Sequence, residues 1–136
     1  MRHILLIATL ALTGCGSIAN TAFDNVEASR YADIASIASN TIRLCKDTTA
    51  VRLISSSLLS HAQLAHNYSN VKANNKRVTE AGQIVYQLSS DLNTRYQQGD
   101  PSEAYCKLKL GNIEQAAGLT ARSISKKELV SPFTIP

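Results

Sequence analysis

The chain has 136 residues, 44% hydrophobic and 18% charged, a length and balance that suit one domain with a modest packed core. Its formal charge of +4 comes from basic residues scattered between Arg2 and Lys127. They form no stripe interleaved with aromatics, which argues against a nucleic-acid partner.

Residues 1–14 open with Met1-Arg2-His3, then run apolar from Ile4 to Leu12 with Thr9 as the interruption. This is the pattern of a signal peptide, because the run is far short of the roughly 20 residues that span a bilayer. Leu12-Thr13-Gly14-Cys15 resembles the lipobox of bacterial lipoproteins, where the thiol is acylated and the chain cut before it. The competing reading is an ordinary signal peptide with an incidental cysteine. It needs residue type, position and apolar run to coincide by chance. The expectation is cleavage after Gly14, lipidation of Cys15 and a linker over residues 15–23. Each buried methylene contributes about 0.8 kcal/mol, so an acylated Cys15 anchors the body to a membrane without a spanning helix. Position 16 is Gly, whereas enterobacterial lipoproteins kept at the inner membrane often carry Asp there. That resemblance implies the outer membrane, with the body facing the periplasm.

Beyond the linker, apolar residues recur at spacings of three and four in four stretches, the signature of helices. The first runs from about Asp24 to Lys46, with Tyr31, Ile34, Ala38, Thr41 and Cys45 as its stripe. The second opens at Asp47 or Thr48, either a fair N-cap, and carries Val51, Ile54, Leu58, Ala62 and Ala65. It ends in the asparagine-rich 67–75 region. The third shows Val78, Ala81, Val85, Leu88, Leu92 and Tyr96 and stops at Gln97-Gln98-Gly99. The fourth is expected to start with Asp100 as cap, Pro101 in the first turn and Glu103 three after the cap. Its stripe is Cys106, Leu110, Ile113, Ala117, Thr120 and Ile124. Residues 125–136 read as an irregular tail. The expectation is an all-α, up-down-up-down four-helix bundle over residues 24–124.

With Cys15 given to the lipid, Cys45 and Cys106 remain. An even pair in an exported chain is most simply one disulfide; the alternative is two buried thiols. In the bundle, the end of the first helix and the start of the fourth share a pole on neighbouring helices. A bridge there therefore agrees with the topology independently of the periodicity. Two cysteines without a nearby His do not fill a four-ligand zinc site.

The catalytic inventory is thin. His3 leaves with the signal peptide, and His61 and His66 stand about 140° apart around a helix, so they make no co-facial metal pair. There is no HExxH, no GxSxG elbow and no glycine loop for phosphate. The tyrosines suit core edges with wet hydroxyls, and the serines suit close helix packing. The expectation is a protein without catalysis, cofactor, metal or small-molecule substrate. Ile37, Leu53, Leu64 and Ile84 lie off the main stripes; they either widen the core or line a groove for a partner's amphipathic helix.

Tyr86-Gln87-Leu88-Ser89-Ser90-Asp91, followed by Pro101-Ser102-Glu103-Ala104-Tyr105-Cys106, resembles a stretch of the PulS/OutS-type pilotins. Arg43-Leu44-Cys45 matches the family's first cysteine, which closes its first helix shortly after an Arg. The resemblance covers roughly residues 30–120. It departs from the family in a longer spacer between Asp91 and Pro101 and in the absence of the aromatic signature of the second helix. It implies an outer-membrane lipoprotein with a disulfide-pinned four-helix bundle. In that family, a groove on the bundle binds a C-terminal segment of the type II secretion secretin, and the lipid carries the secretin to the outer membrane. Cys15, Cys45 and Cys106 carry over by residue. The groove is expected to draw on Ile34, Ile37, Leu53, Ile84 and Leu88. The competing class is a phage- or plasmid-encoded exclusion or structural envelope lipoprotein.

Overall fold

In each helix of this chain the buried positions step by three and four residues in alternation. Residues 24–72 and 75–125 are described by a computed structural model. They form α1 (Asn25–Ile42), α2 (Thr48–Asn70), α3 (Lys76–Gln98) and α4 (Glu103–Ser125). No strand occurs among the described residues. The seam of α1 is Glu27, Tyr31, Ile34, Ala38 and Thr41, continued by Cys45. That of α2 is Val51, Ser55, Leu58, Ala62, Ala65 and Ser69. α3 contributes Val78, Gly82, Val85, Ser89, Leu92 and Tyr96, and α4 contributes Cys106, Leu110, Ile113, Ala117, Thr120 and Ile124. Alternating steps average 3.5 residues, the spacing that keeps a coiled-coil-like seam facing its neighbours.

The seams of α1 and α4 contain the stripes expected from the sequence, with Glu27 added at the start of α1. Those of α2 and α3 differ at three places. Ile54, Ala81 and Leu88 are only part-buried, and Ser55, Gly82 and Ser89 take the inward positions beside them. Each serine keeps its hydroxyl satisfied on its own helix, Ser55 on the Arg52 carbonyl at 2.8 Å and Ser89 on the Val85 carbonyl at 2.8 Å. That makes a small polar residue tolerable in the core.

Each helix packs on its two neighbours in chain order, and α4 closes the ring on α1. The diagonal pairs stand farther apart, and α1 reaches α3 through a side chain, the Tyr31 ring against Gly82. This is the up-down-up-down arrangement. α1 and α4 pack most extensively, through small residues: Ala28 and Ala121 are both buried, and a β-carbon at Gly118 would sit 3.9 Å from that of Ala35. The α1–α2 and α3–α4 seams are shallower.

The helix ends explain the remaining boundaries. α1 stops at Ile42, and tighter i+3 turns carry the chain on: Leu44 N–H donates to the Thr41 carbonyl at 2.8 Å and Asp47 N–H to that of Leu44 at 2.8 Å. Asp47 caps α2 by accepting from Ala50 N–H at 2.9 Å. The expected cap of α4 is corrected. Ser102, not Asp100, receives the Tyr105 N–H at 3.2 Å, and its carbonyl takes the Cys106 N–H at 3.0 Å. Asp100 is drawn instead to Arg52 at 2.6 Å, whose Nε also donates to the Tyr96 carbonyl at 2.8 Å.

Cys45 and Cys106 form a disulfide with a Cα–Cα distance of 5.7 Å and a sequence separation of 61. It joins the end of α1 to the first turns of α4, and closing a loop of this length stabilises the fold by about 4 kcal/mol in the chain-entropy model. No helix among the described residues is long and apolar enough to cross a membrane. Cys15, with the expected signal peptide and linker, and residues 126–136 of the expected tail lie outside the described residues.

Candidate functional site

The pole opposite the disulfide holds a buried polar joint where α1 begins, α2 ends and α3 begins. Asp24 caps α1, its Oδ1 accepting from Val26 N–H at 2.9 Å and Glu27 N–H at 3.0 Å. Its Oδ2 accepts from the Tyr68 hydroxyl at 2.9 Å and from Lys72 Nζ at 3.0 Å. Lys72 also reaches Glu27 Oε2 at 2.6 Å, and the Glu27 side chain is only 2% exposed. Glu27 Oε1 accepts from Ser69 Oγ at 2.7 Å and Asn75 Nδ2 at 2.7 Å. Ser69 has one proton, so the Tyr31 hydroxyl, 3.0 Å away, donates to Ser69 while Ser69 donates to Glu27.

The electrostatics follow from this wiring. Burial pushes the Asp24 carboxyl up, but the Glu27 N–H, Lys72 and Tyr68 outweigh it and bring the pKa down to about 2. Burial pushes the Tyr31 hydroxyl up to about 12, opposed by its bond to Ser69 and reinforced by the Glu27 charge. Burial works against the Lys72 ammonium, yet Glu27 and Asp24 hold its pKa above the usual lysine value. A fully paired buried carboxylate of this kind fixes the mutual register of three helices. Among the described residues no group of three or more His, Cys, Asp or Glu is placed to hold a metal. His61 is exposed, and His66 stacks on Tyr86 with ring centroids 6.0 Å apart.

The five residues expected to line a groove do not share one. Ile34 is fully buried in the core. Ile37 is part-buried on α1, and Leu53, at 72% exposure, stands on the outer face of α2. α1 and α3 are diagonal in the ring, so no seam between neighbouring helices includes both Ile37 and Ile84.

Ile84 and Leu88 do come together, one turn apart on α3. Contacts fix which way they face. Asn93 on α3 meets Ser56 of α2 at 2.9 Å and Tyr86 meets His66, so that flank of α3 faces α2. Asp91 lies on the other flank, 3.6 Å from Lys109 of α4. Ile84 and Leu88 precede Asp91 at helical spacing and share its flank. On α4, Ala116 and Leu119 share the flank of Lys109, while Gly118 turns to α1.

The α3–α4 seam is therefore lined by Ala81, Ile84 and Leu88 on one side and Ala116 and Leu119 on the other. Ile84 is 36% exposed, and the other four are part-buried. The Asp91–Lys109 pair bridges the same two helices nearer the disulfide pole. Ala81, Ala116 and Leu119 were not expected at this seam. The signal was available: residues 81, 84 and 88 and residues 116 and 119 are off-seam apolar positions at helical spacing. It needed knowledge of which flank faces which neighbour.

Chemically, the site offers an apolar strip with a charged pair at one end, suited to binding an amphipathic segment. No family model matches the chain, and no curated protein or solved structure is significantly similar to it.

Proposed function

We propose that this chain is an envelope lipoprotein, cleaved before Cys15 and lipid-anchored there to the outer membrane. It acts as a pilotin-like binding module, holding a C-terminal segment of a type II secretion secretin and guiding its targeting and assembly. The observation that carries the binding role is the α3–α4 seam, where Ile84 is 36% exposed beside the part-buried Leu88. A partner segment that orders on binding loses conformational entropy, so a preformed surface favours it. The disulfide at one pole and the Glu27 joint at the other hold that surface ready.

The anchor and the partner are tested together by fractionating cells that express the wild-type chain or Cys15→Ser. The wild-type chain is expected in the outer membrane, with the secretin assembled there. Cys15→Ser is expected to take up no labelled fatty acid and to be absent from the outer membrane, with the secretin failing to reach it. A Cys15→Ser chain that still reaches the outer membrane removes the anchor; normal secretin assembly in cells lacking the protein removes the pilotin role.

A further inference from the structure

We infer that two copies of this chain pair through the outer face of α1 and α2, antiparallel about a two-fold axis level with Ala38 and Ala62. That face lies across the bundle from the α3–α4 seam, so the inference stands apart from the proposed function.

The first observation is the charge of α2. Between Arg52 and Lys72 there is no Asp, Glu, Lys or Arg. The outer faces of α1, α3 and α4 all carry charge, with Asp33, Arg95 and Lys107 exposed. The outermost line of α2 is apolar instead: Leu53 is 72% exposed, Leu64 58% and Val71 82%. They follow one another at steps of 11 and 7 residues, about three turns and two, so they stand in one row. Depletion of charge around exposed apolar side chains is the mark of an interface core rather than of a solvated face.

The spacing of these residues selects a second copy as the occupant. Tyr31 of α1 meets Ser69 of α2 at 3.0 Å, and Arg30 lies over the Tyr68 ring, which fixes how the two helices are levelled. Seven residues on from Tyr31 is Ala38, and seven back from Ser69 is Ala62, so these two are level. Leu53 and Val71 each stand nine residues from Ala62, in opposite directions. A two-fold axis at that level therefore sets Leu53 against Val71 of the second copy. Leu64 and Ser60, each two residues from Ala62, meet in the same manner, a large side chain over a small one.

The charges of α1 give the same axis. Arg30 faces α2, and Asp33 shares its flank one turn on. Arg43 reaches back to Asn40 at 3.2 Å, and Asn40 lies two turns along from Asp33. Asp33 and Arg43 are both exposed, and none of the ion pairs among the described residues uses either. Each stands five residues from Ala38. The axis that pairs Leu53 with Val71 thus also sets Asp33 against Arg43 of the second copy, once on each side, which favours this partner by charge complementarity.

Two helices, each about 10 Å across and meeting over about 27 Å, give roughly 500 Å² a side. That is the low end for a specific interface, so the dimer is expected to be weak and concentration-dependent.

The test is sedimentation equilibrium of the chain from Cys15 to Pro136 carrying Cys15→Ser, over a wide range of concentration. A monomer–dimer equilibrium is expected. Asp33→Arg or Arg43→Glu alone sets like charges opposite each other and is expected to weaken the dimer about tenfold or more, and the two together to restore it. Leu64→Glu is expected to abolish the dimer while the far-UV circular dichroism stays that of the parent.

A parent chain that remains monomeric throughout overturns the inference. So does a dimer indifferent to Leu64→Glu, or a double charge reversal that fails to restore what each single one weakens. All of these are read without a secretin, so failure to recover one bears on the proposed function and leaves the dimer standing.

Discussion

The Tyr31 hydroxyl occupies the space that a β-carbon at position 82 would need. Gly82 is thus a packing requirement in the middle of α3, where glycine ordinarily costs about 1 kcal/mol relative to alanine. Gly82→Ala is expected to destabilise by about 1–3 kcal/mol, because overpacking and loss of the Tyr31–Ser69 bond exceed the gain in helix propensity. Urea melts of Gly82→Ala alone and with Tyr31→Phe check this. The second change is expected to recover part of the loss, since the hydroxyl is the nearest clashing atom, and a purely additive pair would contradict the contact.

The Glu27 joint is the second place where one side chain decides the outcome. Lys72→Met leaves the buried Glu27 charge with two neutral donors and is expected to cost about 3–5 kcal/mol, the usual consequence of an uncompensated buried charge. Glu27→Ala leaves Lys72 paired with Asp24 and Ser69 and Asn75 with backbone acceptors, and should cost less. Chemical denaturation of both variants gives the ranking, and the reverse order would show that the acceptor matters more than the charge it carries.

Acid and alkali act on opposite ends of the same network. The Asp24 carboxyl is brought down to about 2 from the ordinary aspartate value of 3.8. Its contribution is present above the unfolded value, lost as pH falls toward 2, and worth about 1 kcal/mol once solvent screening is counted. The Tyr31 hydroxyl is raised to about 12 from 10.0, so its contribution is full below pH 10 and is lost as pH rises toward 12. Thermal melts across pH 2–5 and pH 9–12 test this. Asp24→Asn should flatten the acid limb and Tyr31→Phe the alkaline one.

The disulfide should dominate stability at the other pole. Replacing Cys45 and Cys106 together by Ser is expected to lower unfolding free energy by about 4 kcal/mol, read as a lower urea midpoint. An unchanged midpoint would mean that the helix packing alone fixes the ends of α1 and α4.

The sequence carried the helices, their order and the disulfide because each leaves a local or arithmetical trace: periodicity, caps and an even cysteine count. It carried the α1 and α4 seams except for Glu27, since Tyr31, Ile34, Cys106 and Ile113 are themselves apolar. It lost the register of α2 and α3 because Ser55, Gly82 and Ser89 sit inward, and apolar residues one position away present a rival stripe. Asp100 misled at the start of α4, where a long-range partner, Arg52, outcompeted the local cap role. The polar joint was illegible for the same reason: Asp24 and Glu27 meet Tyr68, Ser69, Lys72 and Asn75 only after three helices assemble. Of the residues expected to line a groove, Ile84 and Leu88 lie one turn apart on α3 and Ile34 is buried in the core.

The measurement that bears most directly on the central claim is a set of parallel pull-downs from detergent-solubilised outer membranes, followed by mass spectrometry. The baits are the chain from Cys15 to Pro136 carrying Cys15→Ser, alone and with Ile84→Glu or Leu53→Glu. The expected result is a secretin, held through its C-terminal segment, recovered by the parent bait and by Leu53→Glu, and lost with Ile84→Glu. No secretin on the parent bait, or equal recovery with Ile84→Glu, would contradict a pilotin-like role for the α3–α4 seam.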